Sequence, residues 1–166
     1  MKKIRKLQIQ VVLTVLVLCP CFAWAKITVT EKIFHLGTKG LPEWAEFSGK
    51  SPHGRNLSVS FESKANEKEA TLFLYQDDVK QGWRVSLNGK RLGNLERFES
   101  KVLHSLKVPA GTLKDGQNKL AVEAPTAVDD IFVGGAFIEL EPVDEVLSHS
   151  FLEVSAFDKK TSAPLP

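Results

Sequence analysis

The stretch that decides the fold runs from residue 83 to residue 95: "WRVSLNGKRLGNL". Its centre is Asn88-Gly89, with residues of alternating character on both sides. Asn and Gly best tolerate positive φ at both central positions of a type I′ turn, whose twist matches that of a β-hairpin. A two-residue loop there sets Leu87 opposite Lys90, Ser86 opposite Arg91 and Val85 opposite Leu92. Val85 and Leu92 then fall on one face, as antiparallel pairing requires. Lys90 can lay its stem along that face and keep its ammonium in water. Trp83 shares a side with Val85 and Leu87, which reads as core. A buried indole N–H needs an acceptor, and a backbone carbonyl is the expected one. The hairpin is therefore read as scaffold rather than as a ligand site.

Similar short runs lie on both sides of it. Leu57, Val59 and Phe61 alternate with Ser58, Ser60 and Glu62, the period of a half-buried strand. Thr71 to Tyr75, "TLFLY", is apolar at nearly every position and reads as a central strand covered on both sides. Val102 to Val108 reads as a strand ended by Pro109, followed by the turn-rich "PAGTLKDGQN". Leu120, Val122 and Ala124 alternate again, Pro125 to Asp130 is a loop, and "IFVGGAFIELE" from Ile131 is a long closing strand. Gly134-Gly135 inside it predicts a bulge or a close backbone approach. Ile27–Val29 and Ile33–Leu36 read as two short strands. About eight strands at this spacing, with no helix long enough for a crossover, predict an all-β fold. Its form is an antiparallel β-sandwich of jelly-roll type.

The ends of the chain are of a different kind. Residues 1–25 combine a basic start (Lys2, Lys3, Arg5, Lys6), the apolar run "VVLTVLVL" and the small-x-small end Ala23-Trp24-Ala25. That is the order of a secretory signal peptide, and cleavage after Ala25 would leave Lys26 as the new N-terminus. An uncleaved anchor is the rival reading, although the run is short of the roughly 20 apolar residues of a membrane span. Without this segment the charge is 18 basic against 20 acidic residues, so the net +2 of the whole chain becomes −2. No Lys/Arg run remains to support nucleic-acid binding. Both cysteines, Cys19 and Cys21, lie in the leader. The exported domain would have no disulfide, no thiol nucleophile and no cysteine metal site. The expected location is secreted or periplasmic, with no membrane attachment after cleavage. The sandwich is expected over residues 26–142, a linker over 143–150, and over 151–166 a packed strand or the start of a second β domain.

Three segments carry a resemblance: "YQDDVKQGWRVSLNGKRLG", "VPAGTLKDGQNKLAV" and "DDIFVGGAFIEL". They resemble the N-terminal module of secreted bacterial metallohydrolases of the PHP type, CehA/McbA class, and of related planctomycete-type proteins. That module is similar to the galactose-binding-like jelly roll of many carbohydrate-binding modules. "VSAFDKKTSAPLP" resembles the first strand and turn of a carboxypeptidase-regulatory-like domain. The resemblance implies a galactose-binding-like fold and a hydrolase domain downstream. It carries over no catalytic residue: PHP-type sites often begin with a His-x-His pair, and none of His35, His53, His104 and His149 lies two residues from another.

Several residues suit recognition. Trp44, in "LPEWAEFSG", reads as a loop or strand-edge tryptophan suited to stacking on a sugar ring, or else as rim packing. Tyr75 would present its hydroxyl at an end of the sandwich, where loops and ligands gather, or else stand as a capped core tyrosine. Arg84 would join these two if all three converge on one concavity. His53 and Arg55, in "SPHGRN", could hydrogen-bond a polar ligand or stand solvated in a loop. Asp77-Asp78 and Asp129-Asp130 are the residues that could hold a structural Ca²⁺, which takes several oxygen ligands at once; an Asx-turn is their ordinary role. No other cofactor is expected. No G-x-S-x-G and no glycine-rich phosphate loop is present. Three functions follow: an exported non-catalytic module that binds carbohydrate or positions a downstream catalytic domain, the front of a secreted metal-dependent hydrolase, or a structural interaction domain with no small ligand.

Overall fold

The computed structural model describes residues 26–43 and 51–147. The expected leader, Trp44 and the expected strand at Phe151–Phe157 lie outside the described residues. Eight strands follow in order: β1 (Lys26–Leu36), β2 (Leu57–Ser63), β3 (Ala70–Asp77), β4 (Arg84–Leu87), β5 (Lys90–Asn94), β6 (Val102–Val108), β7 (Gly116–Glu123) and β8 (Ile131–Glu139). One helical turn, α1 (Val143–Val146), stands within the stretch expected to be a linker.

The pairings are nested. β4 pairs with β5, β3 with β6, β2 with β7 and β1 with β8, all antiparallel, as if one long hairpin had been wound on itself from its Asn88-Gly89 tip. Further antiparallel pairs, β3 with β8 and β4 with β7, complete two four-stranded sheets. The first has the order β1-β8-β3-β6 and the second β2-β7-β4-β5. This is the eight-stranded jelly roll. Among the described residues no helix is long and apolar enough to cross a membrane.

The deciding hairpin turns as its sequence dictates. Asn88 and Gly89 both have positive φ, at 52° and 81°. The Asn88 side chain fixes the turn further: Nδ2 donates to Thr112 O and Asn118 Oδ1, and Oδ1 accepts from Lys119 N. Leu87 faces Lys90 and Ser86 faces Arg91, but Val85 faces Gly93 rather than Leu92. The residue brought opposite Val85 is packed closely against the other sheet. A Cβ on Gly93 would lie 2.8 Å from Leu106 Cδ2, so β6 packs directly on the backbone at this position.

Alternation sets the core. Leu57 and Phe61 of β2, Val85 and Leu87 of β4 and Leu120 and Val122 of β7 meet Leu72 and Leu74 of β3 and Val133 and Ile138 of β8. β3 lies between β8 and β6 and is buried along most of its length, as its apolar run predicts. On its outer side Phe73 stacks on Phe137, with ring centroids 5.0 Å apart. On its inner side the fully buried Gln76 bridges toward the second sheet. Its amide donates to Glu96 O at 2.7 Å and accepts from Glu96 N at 3.0 Å, which satisfies a polar group that would otherwise be costly to bury.

The two short strands expected at the front are one strand. β1 keeps pairing with β8 through register shifts between Thr28 and Thr30 and between Thr30 and Ile33. Gly134, with φ at 149°, is the reason the irregularity is accommodated: a Cβ there would sit 2.0 Å from Lys32 O. The close approach expected of Gly134-Gly135 is thus made to the β1 backbone. The ladder between β3 and β8 shifts at the same place, between Phe73 and Tyr75.

Candidate functional site

Strand register brings four connections to one end of the sandwich. Leu36 pairs with Ile131, Asp77 with Phe132, Gln76 with Val102, Leu57 with Val122, and Arg84 with both Asn94 and Glu123. The β1–β2, β3–β4, β5–β6 and β7–β8 loops therefore emerge together. Loops at one end of a rigid sandwich are where recognition is usually built.

A buried polar network ties these loops. Asp129 Oδ2 accepts from the Trp83 indole at 2.8 Å, from Gln81 N at 3.0 Å and from Lys80 N at 3.3 Å. Trp83 is scaffold as expected, fully buried beside Val85 and Leu87, but its indole finds a carboxylate and not a backbone carbonyl. The carbonyl was the local expectation; the carboxylate comes from a loop 46 residues away. Burial raises the Asp129 carboxyl above its ordinary value. The Trp83 and backbone hydrogen bonds pull it back in part, and the Glu43 charge pushes it up further.

The neighbouring carboxylates are engaged elsewhere. Asp130 Oδ1 lies 3.0 Å from His35 Nε2, and its Oδ2 accepts from Glu43 N at 2.6 Å. Glu43 Oε2 accepts from Asp130 N at 3.1 Å and from Lys80 Nζ at 3.3 Å. Lys80 Nζ also lies 2.7 Å from Asp78 Oδ1. Asp77 is directed elsewhere, accepting from the Tyr75 hydroxyl at 3.5 Å.

The residues singled out for recognition are dispersed around this end. His53 Nδ1 accepts from His35 N at 3.1 Å, and its ring meets Phe34 edge-on. Arg55 Nη2 donates to Pro125 O at 2.6 Å, joining two loops. Arg84 pairs with Glu123 at 2.8 Å across β4 and β7, on the outer face of the second sheet. Tyr75 stands half-buried on the outer face of the first sheet. Its hydroxyl is raised above the ordinary tyrosine value by burial, then by the Asp77 charge and hydrogen bond. Tyr75 and Arg84 are thus on opposite outer faces and do not line one concavity.

A concavity does exist at the loop end, and other residues form it. A groove of about 390 Å³ is lined by Val79, Lys80, Arg97, Phe98, Glu99 and Ser100. Phe98 is 52% exposed, and its carbonyl accepts from Val79 N at 3.1 Å, which holds the β5–β6 loop against the β3–β4 loop. An exposed aromatic ring flanked by Arg97, Glu99, Ser100 and Lys80 combines an apolar platform with hydrogen-bonding groups of both polarities. Sequence reading missed it. The available signal was one aromatic residue inside the polar run "LERFESK", where no strand face calls for it.

The four aspartates are turned to separate partners. Among the described residues no three His, Cys, Asp or Glu side chains are grouped to hold a metal. Asp129 Oδ1 is buried and has no hydrogen-bond partner among them, so it is one open oxygen. Calcium takes six to eight. Asp130 is bound to His35 and Glu43 N, Asp77 faces Tyr75, and the Lys80 ammonium holds Asp78 and Glu43.

No family model matches the chain, and no curated protein matches it. Two solved structures resemble it in outline. One is the CBM36-1 domain of a multidomain xylanase from the hindgut metagenome of Trinervitermes trinervoides, 13% identical over 63% of this chain and 96% of that one, with a TM-score of 0.33. The other is a carbohydrate-binding module CBM36 in complex with calcium and xylotriose, 17% identical over 69% of this chain and 98% of that one, with a TM-score of 0.36. Calcium and xylotriose are ligands of that module.

Proposed function

We propose that this chain is an exported, non-catalytic jelly-roll module that binds carbohydrate through the loop-end groove. The observation that carries the reading is Phe98. A half-exposed phenylalanine on a groove wall, with polar side chains on each side, is suited to a pyranose: the ring's C–H face lies on the aromatic surface and its hydroxyls meet Lys80, Arg97, Glu99 and Ser100. The backbone bridge from Val79 to Phe98 fixes the platform before any ligand arrives, which lowers the ordering cost of binding.

The expected result is measurable binding of at least one polysaccharide or oligosaccharide class on a glycan panel, with calorimetry to follow. Phe98→Ala should weaken that affinity about tenfold, the loss typical of an aromatic anchor, while leaving the fold intact. No binding to any glycan at millimolar concentration would overturn the proposal.

A second role, positioning a downstream catalytic domain, draws on a different surface. On the outer face of the first sheet Leu103 is exposed beside Tyr75, and α1 leads the chain out against β3 and β6. On this reading the chemistry of a longer parent, a metal-dependent hydrolase by the sequence resemblance, lies downstream of Pro166. The reading frame beyond that codon tests it.

A further inference from the structure

We infer that the loop end of this sandwich is organised by a built-in cation, the Lys80 ammonium, so that no bound dication is needed to hold its carboxylates together. Glu43, Asp78, Asp129 and Asp130 come from three different loops at one end of the sandwich. Carboxylates brought so close repel unless a positive charge or hydrogen-bond donors stand among them. Calcium is a common solution for exported domains. Lys80 occupies that role here: its Nζ lies 2.7 Å from Asp78 Oδ1 and 3.3 Å from Glu43 Oε2, and its backbone N–H reaches Asp129 Oδ2 at 3.3 Å.

The rest of the cluster is arranged around that residue. Glu43 Oε2 accepts from Lys80 and also from Asp130 N, while Asp130 Oδ2 accepts from Glu43 N. Lys80 thereby links the β3–β4 loop to the β1–β2 loop, and Glu43 links both to the β7–β8 loop. Burial by itself would lower the lysine pKa. The hydrogen bond and charge of Asp78, and then those of Glu43, outweigh it and leave the ammonium above its ordinary value, so it stays charged at any physiological pH. A dication entering here would have to displace an ammonium covalently tethered to the site.

The inference is independent of any ligand, and thermal unfolding of the secreted full chain tests it. The wild-type midpoint should be the same, within about 1 °C, in EDTA and in about 10 mM calcium, a concentration above the affinity range of extracellular calcium modules. Lys80→Met keeps the stem and removes the charge, and should lower the midpoint by about 4–8 °C. Adding Glu43→Gln and Asp78→Asn to that variant removes the stranded charges and should recover at least half of the loss. A wild-type midpoint raised several degrees by calcium would overturn the inference. So would a Lys80→Met protein as stable as wild type, or a triple variant no better than the single one.

Discussion

Trp83→Ala should destabilise the protein by about 3–5 kcal/mol, the range for removing a fully buried large aromatic side chain. The indole is 1% exposed, packs in the main core and donates its N–H to Asp129. Truncation therefore opens a cavity and also strips one donor from a buried carboxylate. Trp83→Phe separates the two effects: it keeps most of the volume and loses the hydrogen bond, and should cost about 1–2 kcal/mol. Asp129→Asn completes the test. An asparagine oxygen can still accept from Trp83, Gln81 and Lys80, but it carries no charge.

The pH dependence of this pair has a definite sign. The Asp129 pKa is raised by burial in the folded protein, so the folded state holds that proton more tightly than the unfolded state does. Its contribution to stability is fully present below the ordinary carboxylate value, 3.8, and is lost as pH rises through the raised folded value. Asp129→Asn lacks that loss. Urea denaturation across pH 4 to 8 should show the asparagine variant gaining on wild type as pH rises. A constant gap between the two would mean that Asp129 does not titrate in this way.

Gly134→Ala is the second large effect. The added Cβ would fall 2.0 Å from Lys32 O and 3.0 Å from Ile33 Cα, both backbone atoms of β1, at a φ of 149° that L side chains rarely adopt. β1 would have to leave β8 along half its length. We expect a loss of about 3 kcal/mol or more, from strain and overpacking together. Gly89→Ala is the control. Its φ is also positive, at 81°, but nothing lies within 4 Å of the new Cβ, so only the backbone preference is lost, about 1 kcal/mol. Denaturant midpoints for the two variants decide the matter. Equal losses would show that the close approach of β1 has no energetic weight.

What sequence reading could see was local. Period-two alternation located the strands because a half-buried strand has to alternate. Asn88-Gly89 announced its turn because two successive positive φ values restrict the choice of residues. Gly134-Gly135 announced an irregularity because glycine inside a strand gives up side-chain packing. Trp83 read as core because Val85 and Leu87 shared its side.

What it could not see depended on distant partners. The slip that sets Gly93 opposite Val85 has no local signal, and Leu106, which packs on Gly93, comes from the opposite sheet. The acceptor of the Trp83 indole is Asp129, 46 residues away, and Lys80 reaches, besides its neighbour Asp78, Glu43, 37 residues away. Asp129 and Asp130 were offered as carboxylates for a structural cation, but adjacency in sequence does not say where each side chain turns. The two side chains serve different donors, Asp129 the β3–β4 loop and Trp83, Asp130 His35 and Glu43. Tyr75 and Arg84 were attractive for their chemistry, and strand parity puts them on opposite outer faces. Phe98 lacked any periodic context, so its single local signal, an aromatic ring inside a polar run, did not say which groove it would wall.

The central claim is that recognition belongs to the loop-end groove, and that the tryptophan hairpin is framework. Amide chemical-shift mapping of the ¹⁵N-labelled protein, titrated with a glycan that binds, tests it most directly. The account predicts that the largest shifts fall on Val79, Lys80 and residues 97 to 100. Shifts concentrated instead on Tyr75, Leu103 and Phe137, across the outer face of the first sheet, would contradict it.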